Sequence, residues 1–588
     1  MAYSSKIYLA EKDDELTFFI NSAYHDKGLD CLSSLPDHVS LIIEDKNTFV
    51  LIKGAFSTAP VYYYCSPTDF HCDFTIKNVL AKLPFLPKPN TEKINRYFDF
   101  TNELSDSNNL TFYEDIWRLL PGETLVYEAG KLRFFMSDSI DLPNQVPTYE
   151  QHIDYIRKNF TDSVNRKITG RKKVAANLSG GLDSSAITAV AQSLRTDTLV
   201  SLYMETHTKE TDEFHFAEKV SEKHETDLQK VSPQKDFLME AVKRVIKQTG
   251  LPETSNIFSA LNLVVLDACI DNGVDTLLSG VLGDQVIDYG YDYFDELAEK
   301  RQWSLLEQVM GEHQYSRSLQ ESEIIKLALK ELRKNPSPLN AWSIYKELCE
   351  DRSIRKRRFA RIAGKFISVK IMDYVFPDPV NKLKSQLLLN GRKSAAKMHN
   401  PVELVRGEIS QTAQRTTKWI YQHVAVEALE QIYLLYNAVN ISVRYPFFDK
   451  KLIQTTLLSK NEWKLRNGIS RSTLREALKD YFPREVYERR SKAVFTNYLI
   501  ETYREFCKAF KSEYDNEYDS HPIWDICNRK VFEKLSDLVL NDAVKSFEKI
   551  RVVFLLYRVL YLAIWLDYLK TQNITGEKNN LVTPDTQF

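Results

Sequence analysis

The sequence predicts two joined parts: a strand-rich α+β front, then an α/β doubly wound parallel sheet with a large helical C-terminal part. Three observations predict this. Short β-branched and aromatic runs, separated by turn dipeptides, fill the first 145 residues. From Tyr149 the apolar residues take helical spacing with short strands interleaved. Beyond residue 295 almost every stretch reads as helix and is rich in aromatics.

In the front part, Val50-Leu51-Ile52, Pro60-Val61-Tyr62-Tyr63-Tyr64 and Thr124-Leu125-Val126-Tyr127 read as strands, with Pro121-Gly122 and Ala129-Gly130 as turns. Pro143 and Pro147 mark the boundary, giving parts at 1–145 and 146–588. Strands follow at Lys173–Leu178, Thr198–Met204, Asp227–Val231 and Val274–Leu278, with helices at Asp183–Leu194 and Asp212–His224 between the first three. Such alternation builds a parallel sheet, because parallel strands need crossover helices. Val552–Leu569 is nearly continuous in apolar residues, but Arg558 and Asp567 interrupt it, which predicts a buried core helix over a membrane span. The polar tail after Lys570 is expected to fray.

Composition narrows the function classes. In 588 residues, 43% are hydrophobic, which excludes disorder over most of the length. The 78 Lys and Arg against 80 Asp and Glu give a net charge of −2, so no global basic field favours nucleic acid. The charge is unevenly shared: residues 1–150 hold 13 basic and 22 acidic side chains (−9), leaving +7 for the rest. The start, MAYSSKIYLA, lacks a secretory pattern, and the seven cysteines (Cys31, Cys65, Cys72, Cys269, Cys349, Cys507 and Cys527) form no CxxC pair. Reduced thiols in a cytoplasmic protein are expected.

One string carries chemistry. Leu178-Ser179-Gly180-Gly181-Leu182-Asp183-Ser184-Ser185 lies where a strand ends and a helix begins. Small residues there let backbone N–H groups approach phosphate at a helix N-terminus. Ser179, Ser184 and Ser185 offer hydroxyls, and Asp183 a carboxylate for Mg²⁺. The string is neither a Walker A loop nor GxGxxG.

The string resembles the pyrophosphate loop (PP-loop) of the ATP pyrophosphatases, and the chain is similar to asparagine synthetases in particular. Leu277-Leu278-Ser279-Gly280-Val281-Leu282-Gly283-Asp284 resembles that family's LLSGxGxD. The resemblance implies that Ser279 and Gly280 lie against the nucleotide and that Asp284 is the second Mg²⁺ carboxylate. It also implies a nucleotide contact from Met204. Val443-Arg444-Tyr445-Pro446-Phe447-Phe448-Asp449 is similar to RxPFLD, taken as an architectural turn. Leu474-Arg475, followed by Arg489-Arg490-Ser491-Lys492-Ala493-Val494-Phe495, resembles LR…RxKxxF. Lys492 would then stabilise charge on the α-phosphate and on the later tetrahedral intermediate. The implied cofactors are ATP and Mg²⁺. The implied reaction is adenylation of a carboxylate, with pyrophosphate released, then amide formation with loss of AMP.

The family's front domain is an Ntn-hydrolase-like sandwich whose first residue is a catalytic Cys. Here the chain begins Met1-Ala2-Tyr3 and its first cysteine is Cys31, so an inactive glutaminase-like domain is expected, and the amine would be carried by the substrate itself. Two branches resembling this are β-lactam synthetases and lasso-peptide cyclases. The first uses a Tyr, with a Glu, at the x of SGxGxD; here that position is Val281, and Leu282 replaces the next Gly. The front-domain Tyr run and the LYRVLYLAIWL-type ending resemble lasso cyclases more closely, so lasso-type macrolactam closure of a ribosomal precursor peptide is expected. A β-lactam-type small-molecule synthetase, or another ligase of the family that uses no glutamine, is the alternative. Glu430, or else Glu427, is the candidate base. Expected partners are the precursor peptide, with a leader peptidase and a peptide-recognition protein of the same pathway; nucleic acid and a membrane span are not expected.

Two competing classes are weaker. A thiolating or nucleobase-modifying enzyme calls for cysteines near the loop and a nucleic-acid module, which the sequence does not display. An inactive scaffold is opposed by intact Asp183, Asp284 and Lys492, although Leu282 and Gln285 depart from the motif. Finally, Arg352, Arg355, Lys356, Arg357, Arg358, Arg361 and Lys365 alternate with apolar residues, either as a solvated helix face or as a patch for an anionic peptide or polyphosphate.

Overall fold

In a computed structural model of the chain, the described residues are 5–11, 14–28, 35–98, 108–136, 139–143, 146–206, 212–234, 236–255, 257–313, 317–350, 383–389, 400–407, 409–490, 496–515, 517–541 and 546–574. Lys492 and the basic run 352–365 lie outside them.

The front part holds two antiparallel sheets. One has the order β1-β2-β3-β7-β8, from β1 (Lys6–Leu9), β2 (Ser40–Asp45), β3 (Thr48–Lys53), β7 (Glu123–Glu128) and β8 (Lys131–Met136). The other has the order β5-β4-β6, from β4 (Tyr62–Cys65), β5 (Phe70–Asp73) and β6 (Ile116–Arg118). Alternation along β2 and β3 gives each face a separate core. Ile42 and Leu51 meet Tyr63, Phe70 and Leu125 between the sheets. Leu41, Ile43, Val50 and Ile52 instead cover Ile20 of the Asp14–Lys27 helix. The strand-rich expectation is met, with the sheets packed face to face.

The short strand β9 (Ile140–Asp141) pairs with β14 (Val405–Arg406), tying the linker to a segment far along the chain. Thr148 then opens the Tyr149–Ile168 helix with a capping box closed by Gln151. The following sheet is wholly parallel and ordered β12-β11-β10-β13-β15. Its strands are β10 (Val174–Asn177), β11 (Val200–Met204), β12 (Asp227–Val231), β13 (Thr276–Leu278) and β15 (Ser442–Arg444). Four match the predicted strands. The fifth was read as a turn, because three residues are too few to show a period; its pairing with β13 is what makes it a strand.

Helices cover both faces, as a parallel sheet requires. Val174 and Ala176 pack with Ile156, Phe160, Ala186 and Ile187 on one side. Ala175, Val200 and Leu277 pack with Leu263, Leu266 and Leu435 on the other. The Ser546–Ile574 helix is long and apolar enough to cross a membrane, but 78% of its most apolar window is buried inside this fold. It is the central core helix: Arg558 donates to the Tyr97 carbonyl, and Trp565 Nε1 donates to the Gly250 carbonyl at 3.0 Å.

The two parts share one interior. Tyr97, Phe112 and Tyr113 of the front part enter the same core as Val552–Trp565. Beside it lies a buried ionic network. Lys53 Nζ donates to Glu430 Oε1 at 2.5 Å, and Arg118 Nη1 to Glu430 Oε2 at 2.7 Å. Lys93 donates to Glu427, whose other oxygen is 3.2 Å from His423 Nε2. Burial alone would raise the Glu427 carboxyl, but His423, Lys93 and Arg118 hold it well below the usual range. Lys53 is fully buried, so removing its carboxylate would strand a charge in the interior. Glu430→Ala should therefore lower stability by about 3–5 kcal/mol in chemical denaturation. Glu128→Ala, which breaks an exposed pair with Arg133, should change it by less than about 1 kcal/mol. Equal effects would refute the internal role of this network.

Candidate active site

The first loop leaves β10 at Asn177 and enters the Leu182–Ser193 helix through Gly181. No side chain caps this helix, so its first N–H groups remain available to an anion. Gly180 has φ +77, and a Cβ there would lie 2.7 Å from the Glu213 carbonyl oxygen. Glycine is therefore demanded twice, by conformation and by space. Ser184 Oγ accepts from Ser179 N at 3.1 Å and lies 3.1 Å from the Gly181 carbonyl, bracing the turn from within. Ser179 is exposed on the loop. Ser185 is not: it is fully buried with an unpartnered Oγ. The helix turns it onto the inner face, which corrects the expectation that it meets the nucleotide.

The second loop follows β13, the neighbour of β10. Chain order reverses across these two strands, the switch point where open α/β sheets bind ligands outside their carboxyl ends. Ser279 N donates to the Arg444 carbonyl at 2.9 Å, so β15 anchors the loop. The loop presses against the first one. A Cβ on Gly280 would stand 3.2 Å from Ser184 N, and a Cβ on Gly283 would stand 2.4 Å from Asp183 Cγ. Leu282 takes φ +71, a left-handed conformation that costs a non-glycine residue about 1–2 kcal/mol. Its side chain is 2% exposed, and that burial offsets the strain.

The interlock brings Asp183 and Asp284 to one point. Arg471 Nη1 donates to Asp183 Oδ2 at 2.8 Å and to Asp284 Oδ1 at 2.9 Å, and Nη2 also reaches Asp183. Tyr289 OH donates to Asp284 Oδ1 at 2.8 Å. Burial disfavours the charged guanidinium, yet the two carboxylates outweigh it and hold Arg471 above its ordinary value. Two carboxylates converging where a cation already stands fit Mg²⁺, which binds through one or two carboxylates together with substrate phosphates. Among the described residues no cluster of three or more His, Cys, Asp and Glu forms a closed metal cage.

Two further arginines hold the segment ending at Arg490. Arg475 donates to the carbonyls of Val486 at 3.0 Å and Arg489 at 2.8 Å, and also to that of Tyr487. Arg489 donates to the Gly180 carbonyl at 3.0 Å, pairs with Glu213 and lies over the Phe216 ring at 4.2 Å. It clips the chain just before Lys492 onto the phosphate loop. Sequence reasoning gave no role to Arg471 or Arg489; their signal, a cation in an already basic stretch, is indistinct from surface charge. Met204 ends β11 and does not line the cavity of about 330 Å³ formed by Thr206, Pro233 and Phe237 with Tyr498 and Phe506 of the Thr496–Glu513 helix.

Glu430 and Glu427 do not stand as ready bases. Both oxygens of Glu430 are held by Lys53 and Arg118, and Glu427 is held by Lys93 and His423. The front part folds over their helix and converts two expected active-site carboxylates into interior counter-ions.

Gly283→Ala should displace Asp183 and weaken binding of a non-hydrolysable ATP analogue by about tenfold or more in calorimetry, about 1.4 kcal/mol. Gly311→Ala, which meets nothing nearer than 3.6 Å, should leave that affinity unchanged. Unaltered affinity in Gly283→Ala would contradict closure of the second loop on Asp183.

Comparison with known proteins agrees with this geometry. The family model described as asparagine synthase matches residues 155–567. A putative glutamine-hydrolysing asparagine synthetase 2 of Methanocaldococcus jannaschii is 26% identical over 180 residues, covering 30% of this chain and 34% of that protein. Glutamine-hydrolysing asparagine synthetase 3 of Bacillus subtilis is 22% identical over 164 residues, covering 28% of this chain and 26% of that protein. The chain thus spans only about a third or a quarter of these relatives. Among solved structures, a U34-tRNA thiolase from Methanococcus maripaludis aligns with TM-score 0.19 and 16% identity, covering 40% of this chain and 89% of its own. An NH3-dependent NAD synthetase from Campylobacter jejuni aligns with TM-score 0.18 and 12% identity, covering 35% and 94%. With the family model matching well over half of its length, this chain belongs to the asparagine synthase family.

Proposed function

We propose that the protein is an ATP-dependent, AMP-forming amide ligase, and that its substrate is a ribosomal precursor peptide closed into a lasso-type macrolactam. The observation that carries the ligase reading is the convergence of Asp183 and Asp284 at the mouth of two interlocked loops. The helix N-terminus behind Gly181 would bind the phosphates, and Ser179, Ser279 and Gly280 would line them. Asp183 and Asp284 would hold Mg²⁺, which when bound neutralises the phosphates and so favours departure of pyrophosphate. A substrate carboxylate attacks the α-phosphorus, the α–β bridging bond breaks and pyrophosphate leaves. The amine then attacks the acyl carbon, loses a proton and expels AMP. Lys492 would stabilise the developing charge in both steps.

An amine carried by the substrate is supported by the cysteines described in the front part. Burial raises the Cys65 thiol and pushes Cys72 to about 12, so neither is a thiolate nucleophile near neutral pH. The β-lactam alternative is disfavoured by Val281, an exposed aliphatic residue with no proton to relay, and by the paired state of Glu430. The 330 Å³ cavity lined by Thr206, Pro233 and Tyr498 gives room for a peptide segment. A precursor peptide, a leader peptidase and a cytoplasmic setting belong to the same proposal.

Incubation with Mg²⁺, ATP and candidate precursor peptides should yield AMP, pyrophosphate and a product lighter than the peptide by one water. Lys492→Ala should lower turnover by about 100-fold or more while retaining ATP binding. ADP as the product, or turnover unaffected by Lys492→Ala, would overturn the assignment.

A further inference from the structure

A second cavity, about 270 Å³, lies between the front part and the C-terminal end of the Tyr149–Ile168 helix, and the proposed reaction does not use it. Its charges are mostly matched. Arg444 pairs with Glu11, Arg166 with Asp449 at 2.6 Å, and Lys450 with Asp37 at 3.5 Å; His38 also faces Asp37 at 3.8 Å. Lys167 and Arg171 line the same space, and neither side chain has a hydrogen-bond or ion-pair partner among the described residues. Arg444 Nε is likewise buried with no partner. Five cationic side chains (Arg166, Lys167, Arg171, Arg444 and Lys450) thus line one cavity against three carboxylates (Glu11, Asp37 and Asp449).

The setting of Lys167 is costly. It is half-buried, and that burial together with the Arg444 charge brings its ammonium down to about 8, against the opposing pull of Asp449 and Glu11. A half-buried cation is favoured by a nearby anion. The opposing residues use their carboxylates on other cations, so the remaining demand is for an anion from outside the chain.

We infer that this cavity binds a small dianion through phosphoryl or carboxylate oxygens, seated between Lys167 and Arg444, with Arg171 at its rim. Two unmatched cations set the charge of the ligand, and the volume limits it to a small molecule. The seat is mechanically joined to the nucleotide loop, because the Arg444 carbonyl accepts the Ser279 N–H at 2.9 Å. A dianion held by the Arg444 side chain would thus steady the strand end on which Ser279 rests. The inference does not depend on which amide the enzyme forms.

The test is calorimetric titration of the full chain, without ATP and at constant ionic strength, with inorganic phosphate in one arm and malonate in the other. Saturable binding that falls about tenfold or more in Lys167→Met supports the site, since one charge-assisted contact is lost. Lys167→Arg, which keeps the charge, should stay within about threefold of the wild type. Tighter phosphate binding identifies a phosphoryl ligand, and tighter malonate binding a dicarboxylate. Lys167→Met should unfold at a midpoint no lower than the wild type in anion-free buffer, since it removes an unmatched charge. Binding of equal strength in Lys167→Met, as expected if phosphate sits only on the nucleotide loop, would overturn the inference. So would absence of saturable binding of both probes to the wild type.

Discussion

The site depends on one steric fact: Gly283 lies so close to the Asp183 carboxyl that a methyl group would overlap it. Glycine there lets the loop after β13 close on the loop after β10, and Asp284 meets the same arginine as Asp183. Two carboxylates at that spacing repel one another unless a positive charge stands between them. Arg471 supplies it from a part of the chain 288 residues beyond Asp183. The tight glycine, the paired carboxylates and the buried arginine form one arrangement.

The front part serves that arrangement from a distance. It contributes aromatic side chains to the core around the Ser546–Ile574 helix and three cations to the ionic network around Glu427 and Glu430. A network so enclosed is strongly destabilised by the loss of one member, whatever its net contribution to folding. It fixes the helix that leads into β15, and β15 in turn holds Ser279 through a main-chain hydrogen bond. The same strand end carries Arg444 into the unmatched cation cavity, so nucleotide loop, front part and cavity meet within a few residues.

Much of this was legible in the sequence wherever the information was local. Small residues at a strand-to-helix junction announced the Gly180-Gly181 turn, and four of five parallel strands were visible as short apolar runs. A hydroxyl in a loop string reads as ligand-facing, whereas the first helical turn carries Ser185 inward. Glu430 is a related case: a helical carboxylate looks the same whether water, substrate or a buried lysine faces it. Arg489 was quoted within a motif, yet its grip on Gly180 depends on a fold-back across 309 residues.

The sequence by itself determined the parallel α/β sheet, the phosphate loop and the two aspartates of the asparagine synthase family, because periodicity and glycine-rich turns act over a few residues. Only the tertiary structure decided which charges meet. Lys53 and Glu430 are 377 positions apart, and their pairing excludes Glu430 from the role of free base. Ion pairs of that separation follow from packing and desolvation, and neither is written in any local pattern of residues.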